Sequence, residues 1–181
     1  MLVRFHLFDT PIGACAIAWT EAGVCGASLP ERTMEATRAR MVRRYPGAME
    51  SAPSESIATL IADVVRLLSG APVDLSYATL DESEIPEFNR SVYAIARAIP
   101  PGRTRTYGAV AQELGNPLLA QQVGQALGRN PIPIITPCHR ILAAKGGMGG
   151  FSAPGGTATK RRILLIEGGL PDEPLDLFGD R

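Results

Sequence analysis

The segment Pro137-Cys138-His139-Arg140 gathers the residue types of nucleophilic chemistry in consecutive positions. A cysteine attacks as the thiolate, so some neighbour must take its proton or stabilise its charge. His139 is adjacent, Arg140 brings a positive charge, and Glu167 stands near the end of the final helical stretch. Together they suit a relay in which the carboxylate orients the imidazole and the imidazole draws off the thiol proton. Successive side chains on an extended chain point to opposite sides, so His139 is expected to reach the sulfur through a water. A Cys-His pair is also what a buried thiol beside a satisfied histidine looks like, and the surrounding sequence has to choose.

The other cysteines, Cys15 and Cys25, lie in apolar, strand-like sequence and are expected to be buried structural thiols. An odd count of 3, in a chain with no secretion signal, argues against a disulfide framework. His6 is close by, yet no Cys-x-x-Cys or His-x-x-x-His spacing supports zinc. No metal and no cofactor are expected, because the nucleophile and its activators are all protein groups. At 181 residues, 45% hydrophobic and 20% charged, the chain has the composition of a soluble globular protein. Its apolar stretches fall short of the roughly 18 residues of a membrane helix, and no basic-then-apolar leader is read. The expected location is the cytoplasm, with no membrane partner.

Net charge is zero, but its distribution is uneven. Residues 1–87 hold 7 basic and 12 acidic side chains, residues 88–168 hold 10 and 2, and residues 169–181 hold 1 and 4. A basic segment between acidic ones is what a local phosphate-facing surface produces, although an asymmetric surface alone gives the same count.

The elements that must position Cys138 can be read in order. Leu2 to Phe8, Ala14 to Trp19 and Val24 to Leu29 read as a β-meander, with turn chemistry at Asp9 to Gly13 and Glu21 to Gly23. Arg32 to Tyr45 reads as a basic-faced helix ended by Pro46-Gly47. Ser56 to Ser69 reads as a second helix with one apolar face, stopped by Gly70. A polar connection follows, with a strand-like piece at Val73 to Leu75 and a domain boundary near Asp81-Glu82-Ser83. Next come a helix over Glu87 to Ala98, an N-cap at Thr106, a helix over Tyr107 to Leu114 and another over Leu118 to Gly128. Two short helices joined by a tight turn make a helix-turn-helix, which serves DNA binding or plain packing. Pro131 and Pro133 forbid an ordinary helix before Cys138. Gly146 to Gly150 and Ala153 to Gly156 read as loops, and Thr159 to Gly168 as the last helix.

The run from Asn130 to Ile141 resembles the active-site signature of O6-alkylguanine-DNA alkyltransferases of the bacterial Ogt type. The resemblance extends over residues 84–168. It includes Tyr107, Val123-Gly124, Asn130-Pro131, Gly149-Gly150-Phe151-Ser152, Gly155-Gly156, Lys160 and Leu164 to Gly168. The N-terminal half matches more loosely, chiefly through Phe8 to Gly13. What the resemblance implies is an α+β protein. Residues 1–82 would form a small α/β, ribonuclease H-like supporting domain. Residues 83–170 would form a mostly helical, winged-helix-like domain whose helix-turn-helix binds DNA and whose cysteine takes the alkyl group. Residues 171–181 would be an acidic, loose tail.

The function implied is irreversible transfer of an alkyl group from O6-alkylguanine in double-stranded DNA to Cys138, with O4-alkylthymine as a second candidate lesion. Each molecule, expected to be a monomer, would react once. The catalytic set would be Cys138, His139, Glu167 and Tyr107. The DNA- and lesion-binding set would be Thr106, Gln121, Asn130, Arg140, Met148, Phe151 and Ser152. In most members an arginine stands where this chain has Gln121, and a tyrosine where it has Phe151. The loop Ser152 to Gly156 is two residues longer than the common Ser-Gly-Gly. A glutamine lacks the planar cation that stacks and attracts phosphate, so an altered lesion range or weaker base flipping is expected. The alternatives are a non-catalytic sensor of alkylated DNA, which the presence of Cys138 opposes, and a Cys-His hydrolase, which leaves the helix pair unexplained.

Overall fold

The computed structural model describes residues 2–170; the acidic tail lies outside them. The chain opens with a hairpin, β1 (Arg4–Thr10) and β2 (Gly13–Trp19), followed by β3 (Val24–Ser28). Thr10 sets the first turn, its hydroxyl accepting from the Ile12 N–H at 3.2 Å and donating to the Gly13 carbonyl at 2.6 Å. Helix α1 (Met34–Arg44), the short β4 (Met49–Glu50) and helix α2 (Glu55–Leu68) complete this half. The sheet runs β3-β2-β1-β4, antiparallel within the meander and parallel between β1 and β4.

Strand periodicity sorts the side chains onto two faces. Phe5, Leu7, Ala16 and Ala18 meet Met41 of α1 on one side. Cys15, Ile17 and Trp19 meet Ile57, Leu60, Val64, Leu67 and Leu68 of α2 on the other. Each fully buried aliphatic side chain here contributes about 1.5–3 kcal/mol. Burial pushes the Cys15 thiol up to about 12 and the Cys25 thiol up to about 11, so both stay protonated, and neither is in a disulfide.

The strand expected at Val73 to Leu75 does not form. Asp74 instead accepts from the Ser76 N–H and hydroxyl, both at 2.8 Å, and this local turn replaces a ladder. The edge of β3 is covered a little later, where Val24 bridges Leu80.

The remaining elements are α3 (Glu87–Arg97), β5 (Arg105–Thr106), α4 (Tyr107–Glu113), α5 (Ala120–Gly128), β6 (Ile141–Leu142) and α6 (Gly156–Ile166). The helix expected from Leu118 starts instead with a 3-10 turn, Pro117–Leu119, capped by Asn116. Pro117 therefore opens a helical turn, where its missing N–H costs nothing, and does not stop one. The last helix begins earlier than the sequence suggests, at Gly156. Helices α3, α4 and α5 share a core of Val92, Tyr93, Ala96, Val110, Val123 and Ala126, and the Tyr93 hydroxyl donates to the Ala126 carbonyl at 2.7 Å.

Two features place the cysteine between these halves. Ile132, Ile134 and Ile135, with Ile163 of α6, pack into the sheet-side core. The Ala27 N–H of β3 also donates to the Pro131 carbonyl at 2.9 Å. On the other side, β5 and β6 pair in parallel, Thr106 opposite Leu142, tying the start of α4 to the chain just after the cysteine.

Candidate active site

Asn130 braces the cysteine segment from within. Its amide donates to the Thr136 carbonyl at 2.8 Å and its oxygen accepts from the Ile132 N–H at 3.0 Å. The Thr136 N–H closes the same loop on the Ile132 carbonyl at 2.8 Å. At its apex Ile134 takes φ 74°, a left-handed conformation that costs a β-branched residue about 1–3 kcal/mol. The cost is held by the burial of Ile134 and by the two Asn130 bonds. Cys138 then starts a 3-10 turn, Cys138–Arg140, all three residues of which are buried.

Behind the sulfur the relay residues meet as the sequence suggests. His139 Nε2 lies 2.9 Å from Glu167 Oε1, and both side chains are fully enclosed. Arg140 adds a fork: Nε donates to Oε2 and Nη2 to Oε1, each at 2.9 Å, while Nη1 donates to the Ile99 carbonyl at 2.6 Å. Burial pushes the Glu167 carboxyl up, but the hydrogen bonds from His139 and Arg140 outweigh it and bring it to about 2. Burial holds the His139 pKa below its ordinary value, so the ring is neutral. An ionised carboxylate only accepts, so Nε2 carries the ring proton and Nδ1 keeps its lone pair. Nδ1 is buried and has no hydrogen-bond partner among the described residues. Arg140 is thus the counter-ion of Glu167. Its expected place among DNA-contacting residues is corrected by its burial, 5% exposed, and by its bonds to the relay.

In front of the sulfur, Tyr107 opens α4, and Thr106 caps that helix by accepting from the Ala109 N–H at 3.1 Å. The Tyr107 hydroxyl donates to the Gly150 carbonyl at 3.5 Å. Gly149 makes this possible: at φ 70°, a Cβ there would come within 2.7 Å of the Tyr107 oxygen. Lys160 sits beneath, fully buried, its ammonium donating to the carbonyls of Ile141 at 2.6 Å and Gly150 at 3.3 Å. Its Nζ is 5.7 Å from the centre of the Tyr107 ring. Burial brings the Lys160 ammonium down to about 8, and a negative sulfur works against that fall. For Cys138, burial raises the pKa, while Asn130 and the positive charge of Lys160 oppose the rise.

Cys138 borders a mostly apolar cavity of about 870 Å³ walled by Tyr107, Gln121, Gly124, Gly150, Phe151 and Ser152. Gln121 is exposed on α5 and forms part of its rim. Ser152 donates to the Gly128 carbonyl at 2.7 Å, and Phe151 packs against both apolar cores. Met148, expected among the lesion-binding residues, is half-buried in the glycine run and does not line the cavity. Among the described residues no cluster of His, Cys, Asp and Glu could hold a metal, and no helix is long and apolar enough to cross a membrane.

Sequence reasoning named Lys160 only as a point of resemblance. Its signal was the spacing with Ile163 and Leu164, which puts a lysine on the inward stripe of α6.

The comparisons agree with this geometry. Residues 87–169 match the model of the 6-O-methylguanine DNA methyltransferase DNA binding domain. A methylated-DNA–protein-cysteine methyltransferase of Mycobacterium tuberculosis is 31% identical over 177 residues, covering 98% of this chain and 99% of its own. One from Methanothermobacter thermautotrophicus is 32% identical over 158 residues, covering 87% and 81%. The crystal structure of Mycobacterium tuberculosis OGT in complex with DNA superposes with a TM-score of 0.73 at 28% identity, covering 91% of this chain and 92% of that one. Fold, site and sequence converge, and the chain belongs to the methylated-DNA–protein-cysteine methyltransferase family.

Proposed function

We propose that the protein repairs DNA by direct reversal, moving an alkyl group from O6 of a guanine in duplex DNA onto Cys138, once per molecule. The observation that carries this is the placement of Cys138: a buried sulfur bordering a mostly apolar cavity with ample room for a base, with an ionised carboxylate and a neutral imidazole behind it. In this reading α5 enters the minor groove and the damaged base swings into the cavity, at a cost of a few kcal/mol that poor pairing reduces. Thr106 and Tyr107 meet the backbone of the flipped nucleotide, and Ser152 meets the O6 side of the base.

The Cys138 proton passes to His139 Nδ1 through a water, because no direct sulfur–imidazole bond exists. Lys160 stabilises the negative sulfur. The sulfur–carbon bond forms in line as the carbon–O6 bond breaks. The departing electron pair goes to guanine, which takes one proton from the Tyr107 hydroxyl. The product thioether has no leaving group that these residues could activate, so the protein is spent. Residues 83–170 form the transfer unit and residues 1–82 support it. A reducing, cytoplasmic location suits a free catalytic thiol.

The test is the intact mass of the protein after incubation with duplex DNA carrying O6-methylguanine. A stoichiometric gain of one methyl group, mapped to Cys138, is expected. Tight binding without a mass change would instead indicate a lesion sensor.

A further inference from the structure

Cys138 borders a second cavity, beside the one that the base enters in the proposed reaction. It has a volume of about 380 Å³ and lies between α1, β3 and the loop after Phe151. Leu127, Gly128, Phe151 and Ser152 line both cavities and stand between them. The remaining wall is charged with one sign: Arg40, Arg43 and Arg44 of α1 and Arg129 line it, and among the described residues no Asp or Glu does. Arg40 is held by Glu31 at 3.2 Å and Arg44 lies 5.3 Å from the centre of the Tyr45 ring. Arg43 and Arg129 make no ion pair among the described residues. This is the basic face of the helix over Arg32 to Tyr45, which the relay and the helix-turn-helix leave without a role.

In-line displacement makes a demand on space. Sulfur, carbon and O6 lie on one line, so any further substituent on the attacked carbon projects sideways from it. The base enters the larger cavity, and a substituent projecting sideways from the attacked carbon reaches the smaller one that Cys138 also borders. We infer that the arginine-lined cavity is a subsite for the substituent on the transferred carbon, and that it favours substituents bearing a negative charge, such as carboxymethyl.

An unassisted carboxylate there would lose its hydration and be repelled by the Cys138 thiolate. Guanidinium groups, always charged and weakly hydrated, offset both costs. The chemistry is otherwise the same. The sulfur–carbon bond forms, the carbon–O6 bond breaks, and guanine leaves with the electron pair and takes a proton, giving S-carboxymethylcysteine.

The inference rests on alkyl transfer to Cys138, and the test separates the two. Duplex DNA carrying O6-carboxymethylguanine is compared with its neutral isostere, O6-carbamoylmethylguanine, in single-turnover reactions, with O6-methylguanine alongside. The wild-type protein is expected to react faster with the carboxylate. A double variant, Arg43→Gln with Arg129→Gln, is expected to lower the charged-to-neutral rate ratio about tenfold, the size of one charge-assisted contact. Arg129→Glu alone should push the ratio in the same direction. Both sites are exposed, and equal thermal unfolding of the variants keeps the ratio interpretable.

An unchanged ratio overturns the subsite. So does an equal fall in both rates with a shallower salt dependence of DNA binding, which would make the arginines contacts to the DNA backbone. Failure of methyl transfer itself would remove the parent function instead.

Discussion

The two sides of Cys138 are built on opposite principles. Behind it, His139, Glu167 and Arg140 form a closed, charge-balanced set in which nearly every polar atom has a partner within hydrogen-bond distance. In front, Tyr107, Gly150 and Ser152 meet solvent, and polar contacts are few: the Tyr107 hydroxyl makes one of 3.5 Å and Ser152 one of 2.7 Å. The rear is closed in the absence of DNA, and in the proposed reaction it receives the thiol proton. The front has to admit a base, so it is left open and is held in shape by backbone and glycine. Substitutions behind the sulfur should therefore change stability and rate together, and those in front should change rate or affinity alone.

Glu167→Gln is the strongest way to break that division. It leaves Arg140 buried without a counter-ion, which costs about 3–5 kcal/mol, and it replaces one of the two oxygens that accept from His139 and Arg140 with a donor. Methyl transfer should fall about a hundredfold or more, and chemical denaturation should show the lost stability. The pH dependence gives a second reading. The Glu167 carboxyl sits near 2 in the folded protein against an ordinary 4.5, so the unfolded chain binds the extra proton first. The stability it provides is complete above the higher value and is lost as pH falls from it through the lower one. The Gln variant should lack that slope. A variant of wild-type stability would mean that the rear is not a charge-balanced unit.

Lys160→Met sharpens the comparison, because Lys160 lies on the boundary: buried like the rear, yet bonded to the carbonyl of Gly150 in front. Its ammonium is brought from 10.5 to about 8 by burial, so between those values the unfolded chain binds more protons than the folded one. Wild-type stability should therefore rise as pH increases through this window, and the methionine variant should lose the slope. Methyl transfer at neutral pH should drop about tenfold, the worth of a cation near a developing thiolate, while the thermal midpoint holds or rises. A fall in both together would mean that Lys160 is chiefly structural.

How much of this could be read from sequence follows the same division. The rear was legible because adjacent residues supply it: Cys138, His139 and Arg140 are one turn, and Glu167 is the carboxylate at the end of the last helix. The sheet half was legible where hydrophobic alternation and turn residues agree, as in β1 and β2, and failed at Val73 to Leu75, where Asp74 makes a local turn. Arg140 was misread because its charge points to phosphate until its burial is known. The front was mostly hidden. That Gly149 seats Tyr107, and that the arginines of α1 reach a cavity beside Cys138, depend on contacts across 40 and more positions of chain, which no local pattern records.

Gly149→Ala tests the front in isolation. Its Cβ would overlap the Tyr107 oxygen, and the backbone there, at φ 70°, already disfavours a side chain. Tyr107 must shift out of reach of the departing guanine. Single-turnover methyl transfer should fall about tenfold, within the range that one general acid contributes. DNA affinity should fall less than the rate, since α5 is untouched and Tyr107 supplies only one of the backbone contacts. Equal loss of affinity and rate would show that Tyr107 acts in binding and not in proton transfer.

Gln121→Arg carries the smallest expected effect and runs in the favourable direction. Gln121 is exposed at the rim of the base cavity on α5, so the longer cation meets no packed neighbour and stability should move by less than about 0.5 kcal/mol. A guanidinium there can stack in the gap left by a flipped base and draw a phosphate, neither of which an amide does. Affinity for undamaged duplex should rise a few-fold and the salt slope should steepen by about 0.9, one phosphate neutralised. If glutamine limits flipping, the gain in transfer rate should be larger for O6-methylguanine, which pairs better, than for a bulky lesion that already leaves the stack readily. Equal gains for both lesions would place the effect in DNA affinity alone, and no gain in either would show that Gln121 already fills the gap adequately.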